Sequence, residues 1–402
     1  MNILFANANS IFDYSSGSAK SIKLILEEFV NLGHNIYAVC SSISDSQCGY
    51  NNSLSLWEKS ARLNQEKNSF IARFIYNGIN ISLIRTRTWQ RNKLNSDEEE
   101  NIYREAINVI KKYKIELTIG WGNLLLEESI FKEAKNNNSK ICFYLVNPSY
   151  KGRKTYILDN ADIIITDSRA TKLLYKEEIK SRCIVIPKAV ENSTLSYNFS
   201  TFTSRKNTKC LFVNPSIEKG LESFIILSKY FIDNDIDISL ICIDSRNKLK
   251  IDLEYLGYDF NKLPCNIKVL PGTVSVDDLF KDISLLLLLS IWHESGSRLI
   301  LESYSRGIPV IAFNTGGNIE FMGNYNQDIF PKPHIYTDQN KRLRIKKWEP
   351  KEMVQRILFL TENIDYFDSY SNKIYNENSA YQQKIRCNEA LQQLINLIKI
   401  LP

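Results

Sequence analysis

Two glutamates eight positions apart, Glu294 and Glu302, follow directly on five consecutive leucines, Leu285–Leu289. A segment this apolar belongs in a core, where an ionised group needs a partner or a ligand. Between the two acids stand Ser295, Gly296 and Ser297, small enough for backbone N–H groups to approach an anion closely. The segment thus offers amides to a phosphate, one carboxylate at the rim of a site and a second, deeper one for hydroxyl groups. Hydroxyl-binding acids on either side of a phosphate match the chemistry of a sugar nucleotide. His293 adjoins Glu294 and is a candidate to line the same pocket.

These groups need elements to position them, and the chain alternates short apolar runs with amphipathic stretches throughout. Strand-like runs are NILFA, NIYAVC, IELTIG, KICFYLV, DIIITD and RCIVIP in the first half, then TKCLFV, ISLICI, NIKVL, ISLLLLLS and IPVIAF in the second. Helical patterns such as Ser18–Gly33 lie between them. Continuous apolar strands separated by helices predict parallel sheets covered on both faces, so the fold class is α/β, twice over. In such sheets ligands bind where strands end and helices begin. The leucine run is a strand, and SRLILESYSRG is a helix stopped by Gly307 and Pro309. With a helix start near Gly296, Glu302 stands about two turns in.

The expected domains are residues 1–195, 196–380 and a terminal helix, 381–402, that packs back on the body. The boundary falls in the polar, aperiodic Glu191–Thr208 stretch. Asn95–Asn101, rich in acids, reads as a helix start, and Asp233–Asp237 as an exposed turn rather than a metal site.

A chain of 402 residues with net charge +6 and pI near 8.7 is mildly basic, short of a dedicated nucleic-acid binder. Its charge is compatible with phosphorylated ligands or a peripheral contact with an anionic membrane. The basic stretch Leu83–Lys93 is a candidate for such a contact, set against a solvated loop. Eight scattered cysteines without a CxxC pair predict free thiols in a reducing compartment. The amino terminus lacks the pattern of a signal peptide, and the apolar run is about half the length a transmembrane helix needs. The expected location is therefore the cytoplasm, with peripheral association at the inner face of the cell membrane left open.

The ordered set Glu294-x7-Glu302, then GIPVIA from Gly307, then GGNIE from Gly316 to Glu320, resembles the donor site of glycosyltransferase family 4, of GT-B architecture. The stretch NIKVLPGTVSVDDLFKDIS resembles that family's preceding strand, glycine turn and helix, with Gly272 at the turn. LFVNPSIEKGLESF resembles its phosphate loop, usually Gly-Arg followed by Lys-Gly; Lys219 and Gly220 match, and Asn214 stands at the arginine's place.

The resemblance implies two Rossmann-like doubly wound domains facing a central cleft, the first binding an acceptor and the second a UDP- or GDP-sugar. It implies retaining transfer to a glycan, lipid-linked or other acceptor, with no metal or other cofactor. Glu294 would touch the sugar and Glu302 the ribose. Lys219 and the amides near Gly296 and Ser297 would meet the diphosphate, with Arg298 making up for the cation missing at Asn214. Base contacts would come from the main chain near Leu270–Thr273. In the first half, Gly17 would face the donor phosphate or acceptor, and Asn147 replaces a usual histidine in the sugar or acceptor pocket. The losses at Asn147 and Asn214 motivate a competing reading, a non-catalytic module that binds a sugar nucleotide or supports a partner enzyme.

Overall fold

Uninterrupted apolar runs become parallel strands buried on both faces, while runs with one polar side form helices over them. The structure, a computed structural model, describes residues 1–63, 69–153, 155–179, 182–191, 208–272 and 275–401. The expected boundary at residue 195 lies outside them, as does Thr273. The chain divides into two compact units, Met1–Ala189 with Ile385–Pro402, and Val190–Lys384.

In the first unit the strands are β1 (Asn2–Ala6), β2 (Asn35–Ser41), β3 (Ile71–Tyr76), β4 (Ile79–Ile84), β5 (Leu117–Gly120), β6 (Lys140–Leu145), β7 (Ile163–Thr166) and β8 (Arg182–Val185). They form one sheet in the order β3-β4-β2-β1-β5-β6-β7-β8, parallel except for the β3–β4 pair. Within β1, Ile3 and Phe5 enter one core while Leu4 and Ala6 enter the other, the period-2 signature of a strand covered on both sides. The β3–β4 hairpin was not anticipated. Its turn is Asn77-Gly78, with φ of 46° and 80°, the doubly left-handed geometry that suits a two-residue hairpin loop.

The helix Gly17–Asn31 follows β1. The acidic stretch starts the helix Ser96–Tyr113, where Asn95 and Glu98 form a reciprocal capping box. The terminal helix Ala380–Lys399 belongs from Ile385 onward to the first unit. There Leu391, Leu394, Ile395 and Ile398 are buried with Ile3, Ile22 and Ile36.

The second unit holds β9 (Thr208–Val213), β10 (Ile238–Asp244), β11 (Ile267–Pro271), β12 (Leu285–Leu288), β13 (Val310–Phe313) and β14 (Ile329–Phe330). This sheet is parallel throughout, in the order β11-β10-β9-β12-β13-β14. From β9 the chain runs outward to β11, then returns to start outward again at β12. The order therefore reverses between β9 and β12, the point where loops leave to opposite faces and open a crevice. A separate antiparallel hairpin, β15 (His334–Thr337) and β16 (Leu343–Lys347), follows; it too was not anticipated.

Candidate functional site

The reversal point carries the candidate site. The loop after β9, Asn214–Gly220, and the loop after β12, Leu289–Ser297, meet above it. Ile291 N–H donates to the Glu218 carbonyl at 3.0 Å. Gly220 has φ +90°, and a Cβ there would lie 1.8 Å from the Leu289 carbonyl oxygen, so only glycine fits. It opens the helix Leu221–Asp233.

Lys219 and Glu294, one from each loop, are joined directly: Nζ lies 2.5 Å from Oε1. The same oxygen accepts from Ser290 Oγ at 2.6 Å and Trp292 Nε1 at 2.8 Å. All three bonds fall on Oε1, which leaves Oε2 outside them. Glu294 is 8% exposed. Burial pushes its pKa up, but the Lys219 charge and the hydrogen bonds from Lys219, Ser290 and Trp292 outweigh burial and bring it to about 2. Glu294 is thus an acceptor-only anion at neutral pH. His293 is half-buried, and that burial lowers its pKa against the opposing pull of Glu294, keeping the imidazole neutral.

The loop owes its shape to the GGNIE element. Gly316 has φ +54°, and a Cβ there would fall 2.0 Å from the Glu294 carbonyl oxygen. Gly317 N–H donates to that oxygen at 2.8 Å. Gly296, at φ +117°, lies against the Phe321 ring. The Ser297 amide, expected at a phosphate, donates instead to Asn318 Oδ1 at 2.9 Å.

The second acid also differs from expectation. The helix runs Arg298–Tyr304 with Ser297 at its cap, so Glu302 stands about one turn in, not two. That spacing puts it four residues after Arg298, on the same face. Arg298 Nε donates to Glu302 Oε1 at 2.8 Å, and both side chains are buried. The two residues, assigned separate roles at the diphosphate and the ribose, are paired with each other. Below them Arg306 Nε donates to Asp277 Oδ1 at 2.9 Å and Nη1 to the Glu302 carbonyl at 2.8 Å.

The loops after β9, β10 and β11 converge on Ser245. Its hydroxyl donates to Asn214 Oδ1, and a Cβ on Gly272 would lie 2.4 Å from the Ser245 Cβ. Asn214 has φ +55°, a left-handed backbone that asparagine adopts more readily than most residues, and Pro215 follows it.

In the first unit Gly17 is exposed at the start of its helix, and an added Cβ there meets nothing within 4 Å. Asn147 follows β6 and caps the turn Pro148–Tyr150, its Oδ1 accepting from the Ser149 amide at 2.9 Å. In the basic stretch, Arg91 Nη1 pairs with Glu99 at 2.7 Å and Nη2 with Glu127 at 3.3 Å, while Arg85 lies over the Trp57 ring.

Sequence reasoning missed Ser290, Trp292, Asn318 and the Arg306–Asp277 pair. Ser290 and Trp292 sit four and two residues before Glu294, and their hydrogen-bonding capacity beside a buried acid was the available signal. Nothing in the sequence links Arg306 to Asp277, 29 positions apart.

No family profile matches the chain, and no curated protein matches it in sequence. Solved structures match over its whole length. A sucrose-phosphate synthase from Thermosynechococcus elongatus superposes with TM-score 0.64 at 11% identity, covering 99% of this chain and 100% of its own. HepE of Anabaena, in complex with UDP and glucose, gives 0.64 at 14%, covering 98% and 99%. An E. coli trehalose-6-phosphate structure bound with UDP-2-fluoro glucose gives 0.62 at 10%, covering 100% of both chains. These neighbours are GT-B glycosyltransferases, and the expected fold class, α/β with Rossmann-like parallel-sheet domains, is the one observed. No helix among the described residues is long and apolar enough to cross a membrane.

Proposed function

We propose that the chain is a retaining glycosyltransferase resembling family 4. It moves a sugar from a UDP- or GDP-sugar to a hydroxyl of a glycan, lipid-linked or other acceptor, without a metal ion. The observation that carries this reading is the Lys219–Glu294 pair across the reversal point of the second sheet. Structural neighbours solved with UDP, glucose or UDP-2-fluoro glucose support a UDP-sugar donor.

Glu294, held as an anion by three donors on Oε1, accepts hydrogen bonds from the sugar hydroxyls and orients the ring. Its pKa, lowered to about 2 by Lys219 and the hydrogen bonds, makes it a weak base, suited to orienting the sugar more than to taking a proton. Lys219 has three N–H bonds and gives one to Glu294, which leaves donors for a phosphate oxygen. As the bond between the anomeric carbon and the phosphate oxygen breaks, charge grows on the leaving diphosphate. Lys219 and the amino terminus of the Leu221–Asp233 helix stabilise it there. The acceptor hydroxyl attacks the same face, and its proton passes to the departing phosphate oxygen. Configuration is thereby kept, and the products are the glycoside and a nucleoside diphosphate. Glu302, steadied by Arg298, takes the ribose hydroxyls, and Asn147 lies on the acceptor side. All eight cysteines are free, which supports a cytoplasmic location.

The competing reading is a non-catalytic module. It is favoured by Asn147, whose side-chain oxygen is used to cap a turn. Incubation with a panel of UDP- and GDP-sugars, following nucleotide release, separates the two. Turnover by the wild type that falls about 10²-fold or more in Glu294→Ala and Lys219→Ala supports transfer. Tight nucleotide binding with no release in any acceptor mixture would support the module.

A further inference from the structure

We propose that the β15–β16 hairpin is a brace that positions Lys219, with Arg342 and Asp252 as the positioning residues. This rests on the assignment of Lys219 to the leaving diphosphate. A two-stranded hairpin is marginal on its own, and here charged anchors fasten it to the elements around the phosphate loop. Asp338 closes its turn, with Oδ1 accepting from the Asn340 and Arg342 amides, both at 2.9 Å. Tyr255 Oη donates to Asp338 Oδ2 at 2.5 Å, tying the turn to the helix Leu249–Leu256.

Asp252 on that helix is 4% exposed and uses its two oxygens in different directions. Oδ1 accepts from Arg342 Nη2 at 2.8 Å, while Oδ2 accepts from the Ile217 amide at 3.2 Å. One buried carboxylate therefore joins the hairpin to the loop that carries Lys219, two residues from the lysine. Arg342 also lies 3.7 Å from Glu218, the residue next to Lys219, and its guanidinium covers the Tyr255 ring at 4.6 Å. A second anchor acts just past the loop: Arg344 and the Ile345 amide both reach Glu222, in the first turn of the helix that Gly220 opens. The loop is thus held from the hairpin side by Asp252 and Glu222, and from the Glu294 side by the Ile291–Glu218 bond.

Arg342 itself needs no contact with the ligand for this role. It holds the Asp252 carboxylate in place, Asp252 fixes the Ile217 amide, and the loop presents Lys219 at a constant distance from Glu294. Replacing Arg342 should loosen the loop and weaken grip on a diphosphate only insofar as Lys219 is there to grip it. A structural role without this link would cost the same whether or not Lys219 is present.

The test is a double-mutant cycle on UDP and GDP affinity, by calorimetry, with wild type, Arg342→Gln, Lys219→Ala and the double variant. Hydrogen exchange of the Ile217–Leu221 peptide is followed in the same set. Expected are an affinity loss of about tenfold for Arg342→Gln, no further loss from it in the Lys219→Ala background, and faster loop exchange at unchanged melting temperature. Arg342→Lys should recover part of the loss, and it serves in the cycle if Arg342→Gln folds poorly. Equal losses in both backgrounds, or no change in affinity, overturn the brace while leaving the proposed function standing. If the wild type binds neither nucleotide, the proposed function falls and the positioning role falls with it.

Discussion

Glu294 gathers a lysine, a serine hydroxyl and an indole N–H on a single oxygen, and this concentration explains why a carboxylate survives ionised beside a leucine strand. Its folded pKa of about 2 lies below the ordinary value of 4.5, so the folded state binds the proton less readily than the unfolded one. The resulting stability is full above the unfolded value and is lost as pH falls from about 4.5 through about 2. The shift corresponds to something on the order of 3 kcal/mol. Chemical denaturation of wild type and Glu294→Gln should therefore differ by a few kcal/mol at pH 7 and converge towards pH 2. A difference that does not shrink with acid would show that Glu294 is not held by charge.

The loops of the second sheet are shaped by glycines with distinct duties, and substitutions can tell them apart. Gly220 combines a left-handed backbone with a Cβ position on top of the Leu289 carbonyl. Gly220→Ala should cost more than about 3 kcal/mol in urea unfolding, since the obstacle is backbone and cannot turn aside. Gly17 is the opposite case, with open space around it and no left-handed backbone. Gly17→Ala should leave unfolding unchanged, and weaker nucleotide affinity in this variant would report a ligand at Gly17, because no protein atom stands in the way. An unchanged affinity would remove Gly17 from the donor site.

Taken as a whole, the chain closes its first unit with its last residues. Leu391, Leu394, Ile395 and Ile398 are each at most 6% exposed in the core that holds β1 and β2. Each such side chain contributes about 2 kcal/mol by burial, against a total stability of roughly 5–15 kcal/mol for a domain. Deleting residues 385–402 should abolish the cooperative transition of the first unit in calorimetry. Retention of that transition at its original temperature would show that the terminal helix adds nothing to this core.

The strands that alternate with helices were legible because burial on both faces demands continuous apolar runs, and the capping box at Asn95 because it is a local hydrogen-bond pattern. The β3–β4 hairpin is legible in the same way, through Asn77-Gly78 between alternating residues. By itself, then, the sequence determined the parallel α/β architecture and marked Glu294 and Glu302 as acids out of place beside an apolar strand, while Lys219 stood out only through the resemblance of its loop to a phosphate loop. Only the tertiary structure decided their partners. Lys219 meets Glu294 across 75 positions because β9 and β12 are neighbours at the sheet's reversal point. Arg298 turns to Glu302 because the helix begins at Arg298, one turn before the acid. The first pairing depends on strand order, a long-range quantity that no local spacing of residue types encodes; the second follows from an i,i+4 spacing once the helix start is fixed.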